Sequence, residues 1–168
     1  MFTQGKLRGY LPNIMYLVRT ALLDITQTEH DDTASQGDTR GKGERMRIRK
    51  TGKITEHLWH LGREEAGIYV LEGRDGAIMI NGGMSFILPD VLQQMSTFGI
   101  DAEKIRKILI LHSHFDHVGI IPYFTRNYPG IEVYASAPAW KILAMPKAIE
   151  VINDFNRLSV KQVGAEGV

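Results

Sequence analysis

Apolar residues arrive along this chain in short bursts, and the spacing within each burst separates strands from helices. Between Ile54 and Leu61 the apolar positions alternate loosely around Trp59, which predicts a strand. Gly67-Ile68-Tyr69-Val70-Leu71 and Ala77-Ile78-Met79-Ile80 are short β-prone runs, and Gly73-Arg74-Asp75-Gly76 joins them as a hairpin turn. The second run is apolar throughout, as expected of a strand buried on both faces. From Pro89 the period lengthens. Val91, Leu92, Met95 and Phe98 recur at helical spacing as a core-facing stripe, and Gly99 is placed to stop the helix.

Ile105 to Leu111 returns to strand. Ile120, Ile121, Phe124 and Tyr128 then mark one face of a helix that Pro129-Gly130 breaks. Ile131, Val133 and Ala135 make a further strand, and Pro138 opens a short helix holding Trp140 and Leu143. Ala148, Ile152, Phe155 and Leu158 recur at steps of three or four, predicting a last helix whose stripe packs into the core. No internal repeat is present. Strands alternating with helices define an α/β class.

The segment before Met46 breaks this rhythm. Tyr10 to Ile25 is moderately apolar, but Pro12, Arg19 and Asp24 interrupt it and no small-residue cleavage site follows. A short amphipathic helix or an unstructured extension is expected there rather than a leader. Thr26 to Glu44 is polar and punctuated by glycine, as linkers are. The chain therefore divides into an extension over residues 1–45 and a domain over 46–168. Arg45, Arg47, Arg49, Lys50 and Lys53 open that domain as a basic run without interleaved aromatics, so a solvated terminal strand is expected rather than a nucleic-acid surface.

Composition narrows the classes further. With 168 residues, 43% hydrophobic and 23% charged, the chain has one ordinary globular domain's worth of core. A net charge of +1 supplies no field suited to nucleic acid. With no cysteine there is neither a disulfide framework nor a thiolate nucleophile or metal site. No run approaches the ~18 apolar residues of a membrane span, and a cytoplasmic location fits.

The chemistry is concentrated at His112-Ser113-His114-Phe115-Asp116-His117, directly after Ile108-Leu109-Ile110-Leu111. An extended chain repeats every two residues, so His112 and His114 leave the strand end on the same side. Asp116 and His117 follow where the chain must turn, and Gly119 supplies flexibility for that turn. Neutral imidazole and carboxylate are the usual ligands for zinc and similar divalent ions. Core packing gives no reason for an apolar strand to deliver every ionisable group at one end. His57 and His60 lie three apart, on opposite strand faces, and are read as structural.

The spacing H-x-H-x-D-H resembles the signature of the metallo-β-lactamase superfamily, the αββα metallohydrolases. The resemblance runs from about Ile54 to about Ala144, with the elements in that family's order. It implies an αββα sandwich of which this chain carries the first half, one mixed sheet with flanking helices. It also implies two zinc ions: His112 and His114 would serve site one, Asp116 and His117 site two. Asp116 would in addition orient the attacking hydroxide. Iron and manganese suit the same donors. The implied activity is hydrolysis of an ester, thioester, lactam or phosphodiester, with a small-molecule substrate. Histidine at position 114, where di-iron oxidoreductase relatives tend to place Glu, favours hydrolysis.

Two departures from the family pattern stand out. Ile80-Asn81-Gly82-Gly83 carries Asn where the family usually has Asp, so the support it gives the loop is uncharged. The family also takes later ligands, a His, a bridging Asp and a final His. Here the six histidines are His30, His57, His60, His112, His114 and His117, and Asp154 is the one Asp after Asp116. Two ligands per ion bind weakly where catalytic zinc keeps three. The alternative expectation is a non-catalytic or split-enzyme scaffold, completed by self-association or by a complementary C-terminal half. A lone sheet should then leave a broad apolar face exposed.

Overall fold

The computed structural model describes residues 50–64 and 66–164. The expectations for residues 1–45 and for Arg45, Arg47 and Arg49 lie outside the described residues.

The core of the fold is one mixed six-stranded sheet in sequential order. Its strands are β1 (Gly52–Lys53), β2 (Leu58–Leu61), β3 (Ile68–Gly73), β4 (Gly76–Ile80), β5 (Ile105–Ile110) and β6 (Glu132–Ala135). The first four run antiparallel as a meander, and β5 and β6 join β4 in parallel. The expected hairpin closes between Gly73 and Gly76, which face each other in register. Gly76 sits at φ 139°, a backbone state that L side chains rarely adopt.

Parallel pairing needs a crossover, and each crossover here carries a helix. Helix α1 (Leu88–Phe98) links β4 to β5, and α2 (Ile121–Asn127) links β5 to β6. Gly99 ends α1 in the left-handed conformation, φ 71°, with its N–H on the carbonyls of Met95 and Ser96. After β6, Ser136 caps α3 (Ala137–Leu143) by accepting from Ala139 N–H at 3.3 Å, and α4 (Pro146–Gln162) follows.

Alternation along the strands assigns the two sheet faces. Ile68, Val70, Met79, Ile108 and Ile110 point to the helical side and form one buried cluster. That cluster includes Val91 and Met95 of α1, Phe124 of α2 and Leu143 of α3. Gln94 ties α1 to the sheet by clasping Gly62, accepting from its N–H at 2.7 Å and donating to its carbonyl at 3.0 Å.

Three expectations are corrected. The strand over Ile54–Leu61 begins only at Leu58. Ile54 N–H and Thr55 N–H both donate to Leu58 carbonyl, and Thr55 Oγ1 accepts from Leu58 N–H at 3.2 Å, so the hydroxyl stabilises a turn in place of extended chain. His57 falls in that turn and is exposed, whereas His60 is buried in β2 with Nδ1 3.0 Å from Lys50 carbonyl.

The second correction concerns the far side of the sheet, where broad exposure was expected. Leu71 and Ile80 are buried there, Tyr69, Ile78 and Leu109 are half-buried, and Leu111 alone of that row is fully open. Tyr69 lies against His60 with ring centroids 5.2 Å apart, so these side chains shelter one another across strands.

The third concerns the last helix, which is not a core helix. No residue of α4 is buried, and Phe155 and Leu158 are 48% and 55% exposed. It packs through Ile149, Ile152 and Val160, and its Asn156 Oδ1 accepts Ser85 N–H at 3.0 Å. That bond turns the Phe155 side of the helix toward the motif loop, away from the core. Among the described residues no helix is long and apolar enough to cross a membrane.

Candidate metal centre

Strand β5 ends at Ile110, and the residues that follow are held by the loop after β4. Asn81 takes a left-handed conformation, φ 64°, which turns the chain after β4. Its N–H donates to Leu109 carbonyl at 2.8 Å, and its Oδ1 accepts Leu111 N–H at 3.1 Å. One side chain thus fixes the direction in which His112 leaves the sheet, and an uncharged amide suffices for that bond.

His114 stays extended and precedes a 3-10 turn over Phe115–His117, closed by His117 N–H on His114 carbonyl at 3.1 Å. The two glycines after Asn81 hold the far end of the loop. Gly82 N–H donates to His117 carbonyl at 2.7 Å, and Gly119 N–H donates to Gly83 carbonyl at 2.7 Å. Gly119 was expected to provide flexibility, but no positive φ is found there. The requirement is room: a Cβ at Gly119 would lie 2.3 Å from Ser85 N and 2.5 Å from Met84 C.

This framework gathers the imidazoles. The ring centroids of His112 and His114 are 4.0 Å apart, and those of His112 and His117 are 5.5 Å apart, both edge-on. His117 Nε2 lies 3.7 Å from Asp116 Oδ2, beyond hydrogen-bond range. Two donors bound at ~2.0–2.1 Å to one tetrahedral ion are ~3.4 Å apart, so this pair is spaced for sharing a cation. Burial lowers the pKa of His117; the Asp116 carboxylate works against that, while His112 and His114 reinforce it. A lowered pKa favours the neutral ring, the form that binds metal. His117 Nδ1 is buried without a hydrogen-bond partner.

Among the described residues, however, no group of three or more His, Cys, Asp or Glu side chains is arranged to hold a metal ion. The four side chains are of kinds that bind divalent cations, and one loop carries them all, with Asp116 and His117 the pair brought within reach of each other.

Beside the motif lies a feature that sequence reasoning missed. A cavity of about 500 Å³ opens between Ser113, His114 and Phe115 on one side and α3 and α4 on the other. Phe115 stacks on Phe155 of α4, with centroids 5.0 Å apart and planes 18° apart. The one signal in the sequence is Phe115 itself, a large apolar side chain set between two ligand candidates.

Two comparisons with known proteins agree with this geometry. Residues 62–141 match the family described as the metallo-beta-lactamase superfamily. Among solved structures, a motif mutant of the metallo-beta-lactamase from Cronobacter sakazakii is 27% identical, with a TM-score of 0.51 over 55% of this chain and 36% of that one. MEM-A1, a subclass B3 metallo-beta-lactamase from a soil metagenome library, is also 27% identical, with a TM-score of 0.51 over 58% of this chain and 36% of that one. The chain thus spans about a third of the length of these structures. Strands β3 to β6, helices α1 and α2 and the motif at the end of β5 all fall within the matched stretch, and over it the chain resembles the metallo-beta-lactamase superfamily.

Proposed function

We propose that this chain carries the metal loop of a hydrolase and uses it to cleave an ester, thioester, lactam or phosphodiester. The observation that supports this most is the gathering of three imidazoles with Asp116 on one loop at the strand end. His112 and His114 would hold one ion, Asp116 and His117 the other, zinc being the first choice for these donors. When bound, such ions acidify water and polarise a carbonyl or phosphoryl oxygen. The chain's own part is to place the donors and exclude bulk water on the side walled by Phe115 and α4. Asp116, the sole carboxylate of the set, accepts a hydrogen bond from the attacking water and orients it.

Metal analysis tests this directly. Protein incubated with zinc and then dialysed should retain the ion, whereas His112→Ala and Asp116→Ala should each lose affinity by at least tenfold. Folded protein that retains no zinc, iron or manganese would overturn the reading.

A second reading is favoured by the absence of any three-donor arrangement among the described residues. Under it the chain is a scaffold that hydrolyses only when a complementary segment brings further ligands. Activity that appears on adding such a segment, and not before, would select it over the first reading.

A further inference from the structure

The cavity beside the motif is almost wholly apolar, which is unusual for a surface so close to three histidines. Ile142, Met145, Val151 and Phe155 surround it and are 43%, 51%, 43% and 48% exposed. Four large apolar side chains half open to water around one cavity are costly unless something apolar settles among them. The cavity is continuous with the candidate metal centre, since Ser113 and His114 form part of its wall. Lys147 is the one Lys, Arg, Asp or Glu among the residues lining it.

We propose that this cavity binds the unbranched apolar acyl chain of the substrate, with the carbonyl end toward His114. The proposal rests on the hydrolase reading and narrows it to acyl esters and thioesters. Water adds its oxygen to the acyl carbon, the C–O or C–S bond breaks, and of the water's two protons one goes to the departing alcohol or thiol and the other to solvent. The product is a carboxylate, whose charge Lys147 complements.

Size and charge select this occupant. At the ~30 Å³ that condensed matter allots to a water-sized group, a chain of ten such groups takes ~300 Å³. That fits within about 500 Å³ and leaves room at the mouth. A cavity of this volume is in the range that small ligands fill. A lone lysine disfavours a cationic amphiphile and welcomes an anionic one.

The test uses the full chain without metal and sodium decanoate as probe, followed by titration calorimetry. Decanoate should bind saturably at one site, at least tenfold more tightly than butanoate or decylammonium. Val151→Asp places a charge in the wall at an exposed position of α4, and Ile142→Asn alters the part of the wall that α3 contributes. Each should weaken decanoate at least tenfold while leaving the circular dichroism spectrum and zinc retention unchanged. No saturable decanoate binding, equal binding of butanoate, or unchanged binding in both variants would overturn the proposal. So would light scattering that shows a dimer dispersed by Val151→Asp, because the surface would then meet a second copy.

With zinc present, p-nitrophenyl decanoate should be cleaved at least tenfold more efficiently than p-nitrophenyl acetate, and Val151→Asp should erase the difference. Equal rates for the two esters would overturn the acyl assignment and leave the hydrolase reading standing. Decanoate binding that both variants weaken, in protein that retains no metal and cleaves neither ester, would do the reverse: the cavity would stand and the hydrolase reading would fall.

Discussion

Asn81 shows how one residue can serve two requirements that separate substitutions can divide. Its left-handed backbone costs a residue with an ordinary Cβ about 1–2 kcal/mol, and its bond to Leu111 N–H contributes about 1 kcal/mol. Asn81→Ala should therefore destabilise by about 1–3 kcal/mol in urea denaturation. Asn81→Gly, which relieves the backbone and loses only the bond, should cost about 1 kcal/mol. Asn81→Asp keeps an acceptor and adds negative charge beside the loop, so it should retain stability and tighten zinc several-fold. Equal losses for Ala and Gly would show that the backbone conformation carries no penalty. Gly119 sets a stricter limit, because its neighbours are backbone atoms that cannot rotate away. Gly119→Ala should cost about 1–3 kcal/mol or more and weaken zinc in parallel, since the loop must shift to admit the methyl. A Gly119→Ala protein with native stability and native zinc retention would disprove the close approach.

At the scale of elements, much of the fold was legible because period reports burial. Helix α1, the β3–β4 hairpin and strand β5 stand where the spacing of Val91, Met95, Val70 and Ile108 places them. The motif was legible for a different reason, since its donors are consecutive and one strand end delivers them all. The elements that were misread depend on contacts between distant residues. Thr55 ends a strand pattern through its hydroxyl, and the stripe on α4 has core periodicity without core burial because Asn156 fixes the helix by a bond 71 residues away.

Strand β6 adds a pH dependence that composition could not show. Tyr134 O–H donates to Glu132 Oε2 at 2.7 Å, and this bond, followed by burial and the Glu132 charge, pushes the phenol from 10.0 up to about 12. The folded state then holds its proton more tightly than the unfolded chain does. The stabilisation is full below pH 10 and is lost as the pH rises through about 12. Ultraviolet titration should show Tyr134 among the tyrosines that ionise late, and Glu132→Gln should bring it down toward 10.0. A Tyr134 that ionises with the exposed tyrosines in the unaltered protein would refute the bond.

At the scale of the molecule, stability is distributed unevenly, and the unevenness runs through the candidate site. Strands β3, β4 and β5 carry fully buried side chains, Val70, Met79 and Ile108 among them, whereas α4 buries none. Elements with few buried contacts open locally at a fraction of the global free energy. The α4 helix is held by partly buried Ile149, Ile152 and Val160, by Asn156 on Ser85 N–H, and by Phe155 on Phe115. The last contact reaches the motif loop between His114 and Asp116, so opening α4 removes one wall of the cavity and the stacking partner of the loop. Native-state hydrogen exchange should find α4 amides exchanging at least tenfold faster than those of β4 and β5. Asn156→Ala should speed α4 and the Ser85 amide further while shifting the global denaturation midpoint by about 1 kcal/mol or less. The Phe115 ring resonances should move as well, because Phe155, next to Asn156 on α4, stacks on that ring. Amides in α4 as protected as those of β4, or an Asn156→Ala variant whose Phe115 signals stay in place, would separate the helix from the loop and leave the candidate centre dependent on the sheet alone.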